Sequence, residues 1–278
     1  MPGFERDGVT INYFTRGDPS TPPVLLLHAF ASDGRMWSPV AEELSSAFFV
    51  VVPDLRGHGR STAPEDPAAY HMEVLAADAA ALLDHVGLDL CAVVGCGFGG
   101  MVALQFAVTW PGRLAGLVVS DTSPAAESDR YDEPFREADR GHLAAEEIVR
   151  TYGVAGLARR EAAPIGDPFL ADGLRNHYTT LDSNGYLGCA QARRRRPDLI
   201  PLLREKITCP VLLCSGATDP AAAGMRVISE ELPSARVLTF KNTGHAVPVH
   251  RPGPFADAVL RFFRDIEQGN PTGGHRTV

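Results

Sequence analysis

Asp219 and His245, which follow the two late apolar runs of this chain, are of types that could do acid–base chemistry together. A carboxylate that accepts a hydrogen bond from an imidazole fixes its tautomer and stabilises the imidazolium, so the histidine can take a proton and return it. Asp219 closes Gly216-Ala217-Thr218-Asp219 after the apolar run Val211 to Ser215, and His245 closes Asn242-Thr243-Gly244-His245 after Arg236 to Phe240. Both therefore stand at the carboxyl ends of expected strands. Taken singly, Asp219 reads as a turn residue before Pro220 and His245 as a satisfied loop histidine.

A third stretch, Val93-Val94-Gly95-Cys96-Gly97-Phe98-Gly99-Gly100, runs from an apolar strand through a glycine-rich turn into a helix. Two motifs fit it. Gly95-x-Gly97-x-x-Gly100 satisfies the dinucleotide fingerprint, with Asp121 about 20 residues beyond the strand. Gly95-Cys96-Gly97-Phe98-Gly99 fits the sharp strand-to-helix turn G-x-S-x-G that carries a nucleophile, with glycine where the serine belongs. Cys96 cannot take over, because a register moved by one puts Val94 and Phe98 where small residues are needed. A third reading is ordinary glycine packing at a helix start. The dinucleotide reading expects this strand to open its domain, yet about 90 residues precede it, with signals of their own.

Gly8 to Phe14 alternates as an early antiparallel strand does, and Val24 to Leu27 is a buried-strand run ending at His28-Ala29-Phe30. A helical segment with Trp37, Val40 and Leu44 follows, then the strand Phe48 to Val52 and Asp54-Leu55-Arg56-Gly57-His58-Gly59-Arg60-Ser61. Tyr70 to Val86 carries an apolar helical face, Cys91 to Val94 is the strand feeding the turn, Met101 to Trp110 the helix leaving it, and Leu114 to Ser120 the next strand. Such alternation implies a mostly parallel sheet covered on both faces. From Ser123 to Glu205 the segments are charged and helical, without a buried strand, and read as an insertion. A last helix spans Phe255 to Ile266.

At 278 residues, 45% hydrophobic and 22% charged, the chain can bury one substantial core with an inserted subdomain. A net charge of -8 disfavours nucleic-acid and anionic-membrane surfaces, which call for basic stripes. The exception is Arg193 to Arg196, read as the solvated end of a helix. Five scattered cysteines without metal spacing fit reduced thiols in a soluble, cytoplasmic protein, and no apolar run approaches a membrane span. Metal ligation by His28 or His58 has no supporting motif. Gly269 to Val278 reads as a flexible tail.

The order of Gly97, Asp219 and His245, the motifs after the first two buried strands, and the helical insertion together resemble the α/β-hydrolase superfamily, in its esterase, enol-lactonase and MenH-like branch. The resemblance spans nearly all of residues 8 to 266. It implies an α/β fold with core segments 1–122 and 206–268 and a helical cap at 123–205. It also implies a catalytic set of Gly97, Asp219 and His245, an oxyanion hole from the backbone N–H groups of Phe30 and Phe98, and a small-molecule substrate. Trp37, Tyr178 and Tyr186 are expected to contact that substrate, although each also suits core packing. No cofactor or metal is called for, and the oligomeric state is open. Glycine at 97 leaves three accounts: an ester or lactone hydrolase whose nucleophile was replaced, an enzyme using His245 for proton abstraction as lyases, isomerases and cofactor-independent oxygenases do, or a non-catalytic binder.

Overall fold

A computed structural model describes residues 2–278. Its nine strands are β1 (Gly3–Arg6), β2 (Val9–Arg16), β3 (Pro23–Leu27), β4 (Phe49–Pro53), β5 (Cys91–Cys96), β6 (Leu114–Ser120), β7 (Val211–Gly216), β8 (Arg236–Phe240) and β9 (Gly274–Thr277). They form one sheet in the order β1-β2-β4-β3-β5-β6-β7-β8-β9. Pairing is antiparallel at β1/β2 and β2/β4 and parallel from β4 to β9.

The central strands read as unbroken apolar runs because both faces are covered. Leu25, Leu27 and Val51 point into one hydrophobic cluster, while Val24, Leu26, Val50 and Val52 point into the other. Between β3 and β6 the chain forms α1 (Ser38–Leu44), α2 (Met72–His85) and α3 (Phe98–Thr109). Helices α2 and α3 pack Leu75, Leu82, Val102 and Phe106 on the first face, and α1 packs Val40 and Leu44 on the second.

Between β6 and β7 lie α4 (Glu133–Ala162), α5 (Pro168–Tyr178), α6 (Ser183–Arg194) and α7 (Ile200–Lys206), with no strand among them. The first three start at aspartates whose carboxylates accept backbone N–H groups of the first turn: Asp132 from Phe135, Asp167 from Phe169, and Asp182 from Asn184 and Gly185. Each carries basic residues in its last turn, Arg159 and Arg160, Arg175 and His177, and Arg193 and Arg194, which suit the negative helix terminus. Gly153, at φ 66°, kinks α4. The chain closes with α8 (Ala222–Glu231), α9 (Val247–His250) and α10 (Pro252–Glu267).

The terminal segment departs from its reading as a flexible tail. Gly274–Thr277 pairs with β8, Lys241 N donates to Val278 O at 2.8 Å, and the Arg236 guanidinium donates to the carbonyls of Pro271 and Thr272. All four β9 residues are exposed, so this edge strand is held by backbone bonds that carry no hydrophobic signature. No helix of the described residues is long and apolar enough to cross a membrane.

Candidate active site

Parallel strands deliver their carboxyl ends to one edge of the sheet, where ligands of such sheets bind. The loops after β3, β5, β6, β7 and β8 carry Phe30, Gly97, Asp121, Asp219 and His245 to that edge. His245 Nδ1 lies 3.2 Å from both carboxylate oxygens of Asp219. Nδ1–H then donates to the Asp219 carboxylate, which leaves the Nε2 lone pair for chemistry. Asp219 is buried and its Oδ1 also accepts Ala221 N–H at 2.9 Å, whereas the His245 side chain is half exposed. Burial pushes the imidazole pKa down, but the hydrogen bond and charge of Asp219 outweigh it and the net shift is upward. The carboxyl of Asp219 is correspondingly lowered, its burial outweighed by the bond to His245.

Nε2 faces Gly97. A Cβ built on Gly97 would stand 3.4 Å from it and 3.6 Å from Ala29 Cβ, which is ordinary contact with room for a small side chain. The backbone there is another matter: Gly97 sits at φ 54°, ψ −113°, a conformation L side chains rarely adopt. Its neighbours are glycines for close approach, since a Cβ at Gly99 would lie 2.1 Å from Leu27 O and one at Gly95 2.3 Å from Gly99 O. The turn is pinned by Gly97 N–H donating to Ser120 O at 2.9 Å and Thr122 Oγ1 donating to Gly97 O at 2.7 Å. Position 97 thus lies in a sharp, glycine-flanked strand-to-helix turn with space for a small side chain in front of His245 Nε2. Cys96 is fully buried on the far face, where burial holds its thiol well above its ordinary pKa and therefore protonated.

The N–H groups of Phe30 and Phe98 have no acceptor among the described residues, and Phe98 opens α3, where the helix dipole is positive. Both residues line a cavity of about 350 Å³ together with Gly97, His245, Asp121, Met36, Met101, Phe135, His142, Arg193 and Arg196. Three of the five non-glycine residues with left-handed backbone, Ala31, Asp121 and Ala246, also line it. Strained backbone gathered at a cavity is the mark of a functional site.

Asp121 is more than a strand-end turn residue. Its carboxylate accepts Gly216 N–H at 3.1 Å, Val247 N–H at 2.8 Å and the Ser120 hydroxyl at 2.5 Å, tying together the loops that carry Asp219 and His245. Burial raises its pKa to about 6 against these hydrogen bonds. Both oxygens are occupied, so Asp121 has no group to offer a ribose and the dinucleotide reading loses its acid.

A family model for the alpha/beta hydrolase fold matches residues 22–144. The 3-oxoadipate enol-lactonase 2 of Acinetobacter baylyi is 27% identical over 90% of this chain and 92% of its own. An esterase structure from Thermogutta terrifontis superposes with a TM-score of 0.79 at 28% identity, covering 95% and 97% of the two chains. The enol-lactonase of Burkholderia xenovorans LB400 does so with a TM-score of 0.81 at 25% identity, covering 95% and 100%. The chain has the α/β-hydrolase fold.

Against that fold, three residues expected at the substrate prove to be packing groups. Trp37 is completely buried in the cluster beneath the sheet, its ring 6.0 Å from that of Phe255. Tyr186 and Tyr178 belong to the hydrophobic core of the insertion, with the Tyr186 ring centroid 4.8 Å from that of Phe30 at a tilt of 58°, and neither lines the cavity. Aromatic type alone does not tell which way a helix face turns. The arginine run is also misread as solvated: Arg193 is buried, and Arg193 and Arg196, about one turn apart, both line the cavity. Arg193 is held inward by Asp139 and Glu146 on α4, partners far away in sequence, and Arg196 by Ser123 Oγ and the Ala125 carbonyl. His28 and His58 are internal struts. His28 Nε2 accepts Leu55 N–H at 2.8 Å and His58 Nε2 accepts Ala31 N–H at 3.2 Å. Burial lowers their pKa values to about 4 and about 3. Among the described residues no group of three or more His, Cys, Asp and Glu side chains is placed to hold a metal ion.

Proposed function

We propose that the cavity is the active site of an enzyme acting on a small ester or lactone, with His245 as general base, Asp219 as its partner and the Phe30 and Phe98 N–H groups as the oxyanion hole. The observation that carries the reading is the direction of His245: Nδ1 on Asp219 and Nε2 toward the site of the missing side chain. With glycine at 97 no acyl-enzyme forms there. The route open to these groups is direct: Nε2 takes a proton from water, the hydroxide adds to the carbonyl carbon, and the oxyanion rests on the two backbone donors. Collapse expels the alkoxide, which takes the proton back from the imidazolium. The enol-lactonase and esterase relatives support the ester or lactone bond as the target.

The absent nucleophile favours a second use of the same groups, proton abstraction from a carbon acid whose enolate the oxyanion hole would stabilise. One experiment separates the two. A short-chain aryl ester and a panel of lactones are offered to the protein, to Gly97→Ser, and to each with His245→Ala. Hydrolysis appearing or rising in Gly97→Ser and vanishing with His245→Ala supports the hydrolase reading; no hydrolysis in any of them refutes it. The base must be neutral, so the rate should climb with pH through a midpoint above the ordinary 6.5 of histidine.

A further inference from the structure

A second imidazole lines the cavity from the roof, and the reaction above does not use it. His142 lies in the insertion and is an exposed residue of the cavity wall. It stands on α4 three residues after Asp139 and four before Glu146, so the three side chains share one stripe of the helix. That stripe meets Arg193 of α6. The guanidinium donates through Nη1 to Asp139 Oδ1 at 2.9 Å and to His142 Nδ1 at 2.5 Å, and its Nη2 lies 3.5 Å from Glu146 Oε1.

The bond to Arg193 fixes the tautomer. A guanidinium has donors only, so His142 Nδ1 offers its lone pair and the ring proton sits on Nε2. Nε2 has no protein hydrogen-bond partner among the described residues. Desolvation of the ring, with the Arg193 charge beside it and a smaller push from His245, lowers its pKa to about 4 although Asp139 opposes, so the ring is uncharged at neutral pH. His245 is the opposite in each respect: its Nδ1 donates to Asp219, its Nε2 accepts, and its pKa is raised. Two imidazoles whose partners force opposite tautomers give one cavity an acceptor on its floor and a donor on its roof. The Arg193 charge also polarises the His142 ring and strengthens Nε2–H as a donor.

We infer that His142 is a specificity-determining residue whose Nε2–H binds a second, uncharged oxygen of the substrate, while the first carbonyl rests on the Phe30 and Phe98 amides. A neutral donor recognises a neutral carbonyl oxygen without leaving a charge unpaired. Set apart from the oxyanion hole, it reads which carbon of the substrate chain carries that oxygen. Apolar Met101, Phe135 and Val249 line the same cavity and suit the hydrocarbon between the two oxygens. The scissile-carbonyl part of this inference rests on the reading above; the donor at His142 does not.

Nitrogen NMR of the histidine side chains in the unaltered protein at neutral pH tests the tautomer: His142 should show a protonated Nε2 and a bare Nδ1. A protonated Nδ1 overturns the inference. Titration with methyl hexanoate and with its 3-, 4- and 5-oxo derivatives tests the recognition. At least one oxo ester should bind about threefold to tenfold more tightly than the parent, the worth of one neutral hydrogen bond, and should shift the His142 Nε2 resonance as it binds. His142→Leu should bring that ratio to about one. His142→Gln, whose amide can accept from Arg193 and still donate, should keep part of it. If the unaltered protein prefers no oxo ester, the inference is overturned, and this comparison needs no variant to fold. A preference that survives His142→Leu overturns it too, as does one lost in His142→Leu and His142→Gln alike, which reports a collapsed Arg193 clamp and not a missing donor. Hydrolysis of oxo and parent esters by Gly97→Ser at equal rates overturns the donor and leaves the hydrolase reading standing. A binding preference for an oxo ester with no turnover in either protein does the reverse.

Discussion

The floor and the roof of the cavity are built by different means. The floor consists of strand ends whose loops are fixed by backbone hydrogen bonds, with the Asp121 carboxylate holding the Gly216 and Val247 amides and strained backbone at Ala31, Asp121 and Ala246. The roof consists of helices whose inward groups are long side chains held by ion pairs, Arg193 with Asp139 and Glu146 above all. A floor of this kind can aim a proton-transfer group within tenths of an ångström. A roof of this kind can change its ligand by exchanging side chains, without moving the chemistry below.

If that division holds, changes beneath the floor should be felt most. Trp37→Ala empties a fully buried site and should cost about 3–5 kcal/mol in denaturant unfolding, while ligand affinity measured on the folded protein stays the same. A comparable loss should come from acid. His28 and His58 are depressed to about 4 and about 3, so the unfolded chain takes up protons first as pH falls below 6.5. Their contribution is complete above 6.5 and disappears as pH falls through the folded values, which a pH series of melting temperatures will show.

Asp121→Ala strands two amides and should cost about 2–4 kcal/mol. It should also reduce His245-dependent hydrolysis in the Gly97→Ser background, because the loops after β7 and β8 lose their common anchor. Gly97→Ser itself should cost about 1–2 kcal/mol, the strain of a side chain in that backbone conformation, since its Cβ meets no clash. At the roof, breaking the exposed pair Arg175–Asp172 with Arg175→Ala should move stability by no more than about 0.5 kcal/mol. A roof variant of that exposed kind with a larger effect than Asp121→Ala would break the comparison.

The same division explains what the sequence made legible. Gly97, Asp219 and His245 were readable because each follows a short apolar strand at a characteristic turn, and parallel pairing then has little choice but to gather them. Phe30 and Phe98 rest on the resemblance alone, since a backbone donor has no side-chain signature in a sequence. Trp37, Tyr178 and Tyr186 were drawn to the substrate by residue type, which says nothing of which face turns inward. Arg193 is hidden for the same reason: an arginine in such a run looks solvated until Asp139 and Glu146 of another helix are seen beside it. Strand β9 escaped because an exposed edge strand is specified by backbone hydrogen bonds alone.

The central claim is that the floor is a complete acyl-transfer site lacking one side chain. Intact-mass spectrometry of Gly97→Ser after brief exposure to a short-chain aryl ester tests it most directly. One acyl group should appear on the Gly97→Ser protein, none on the unaltered protein, and none when His245→Ala is added. An unmodified Gly97→Ser protein that also releases no aryl alcohol would contradict the account.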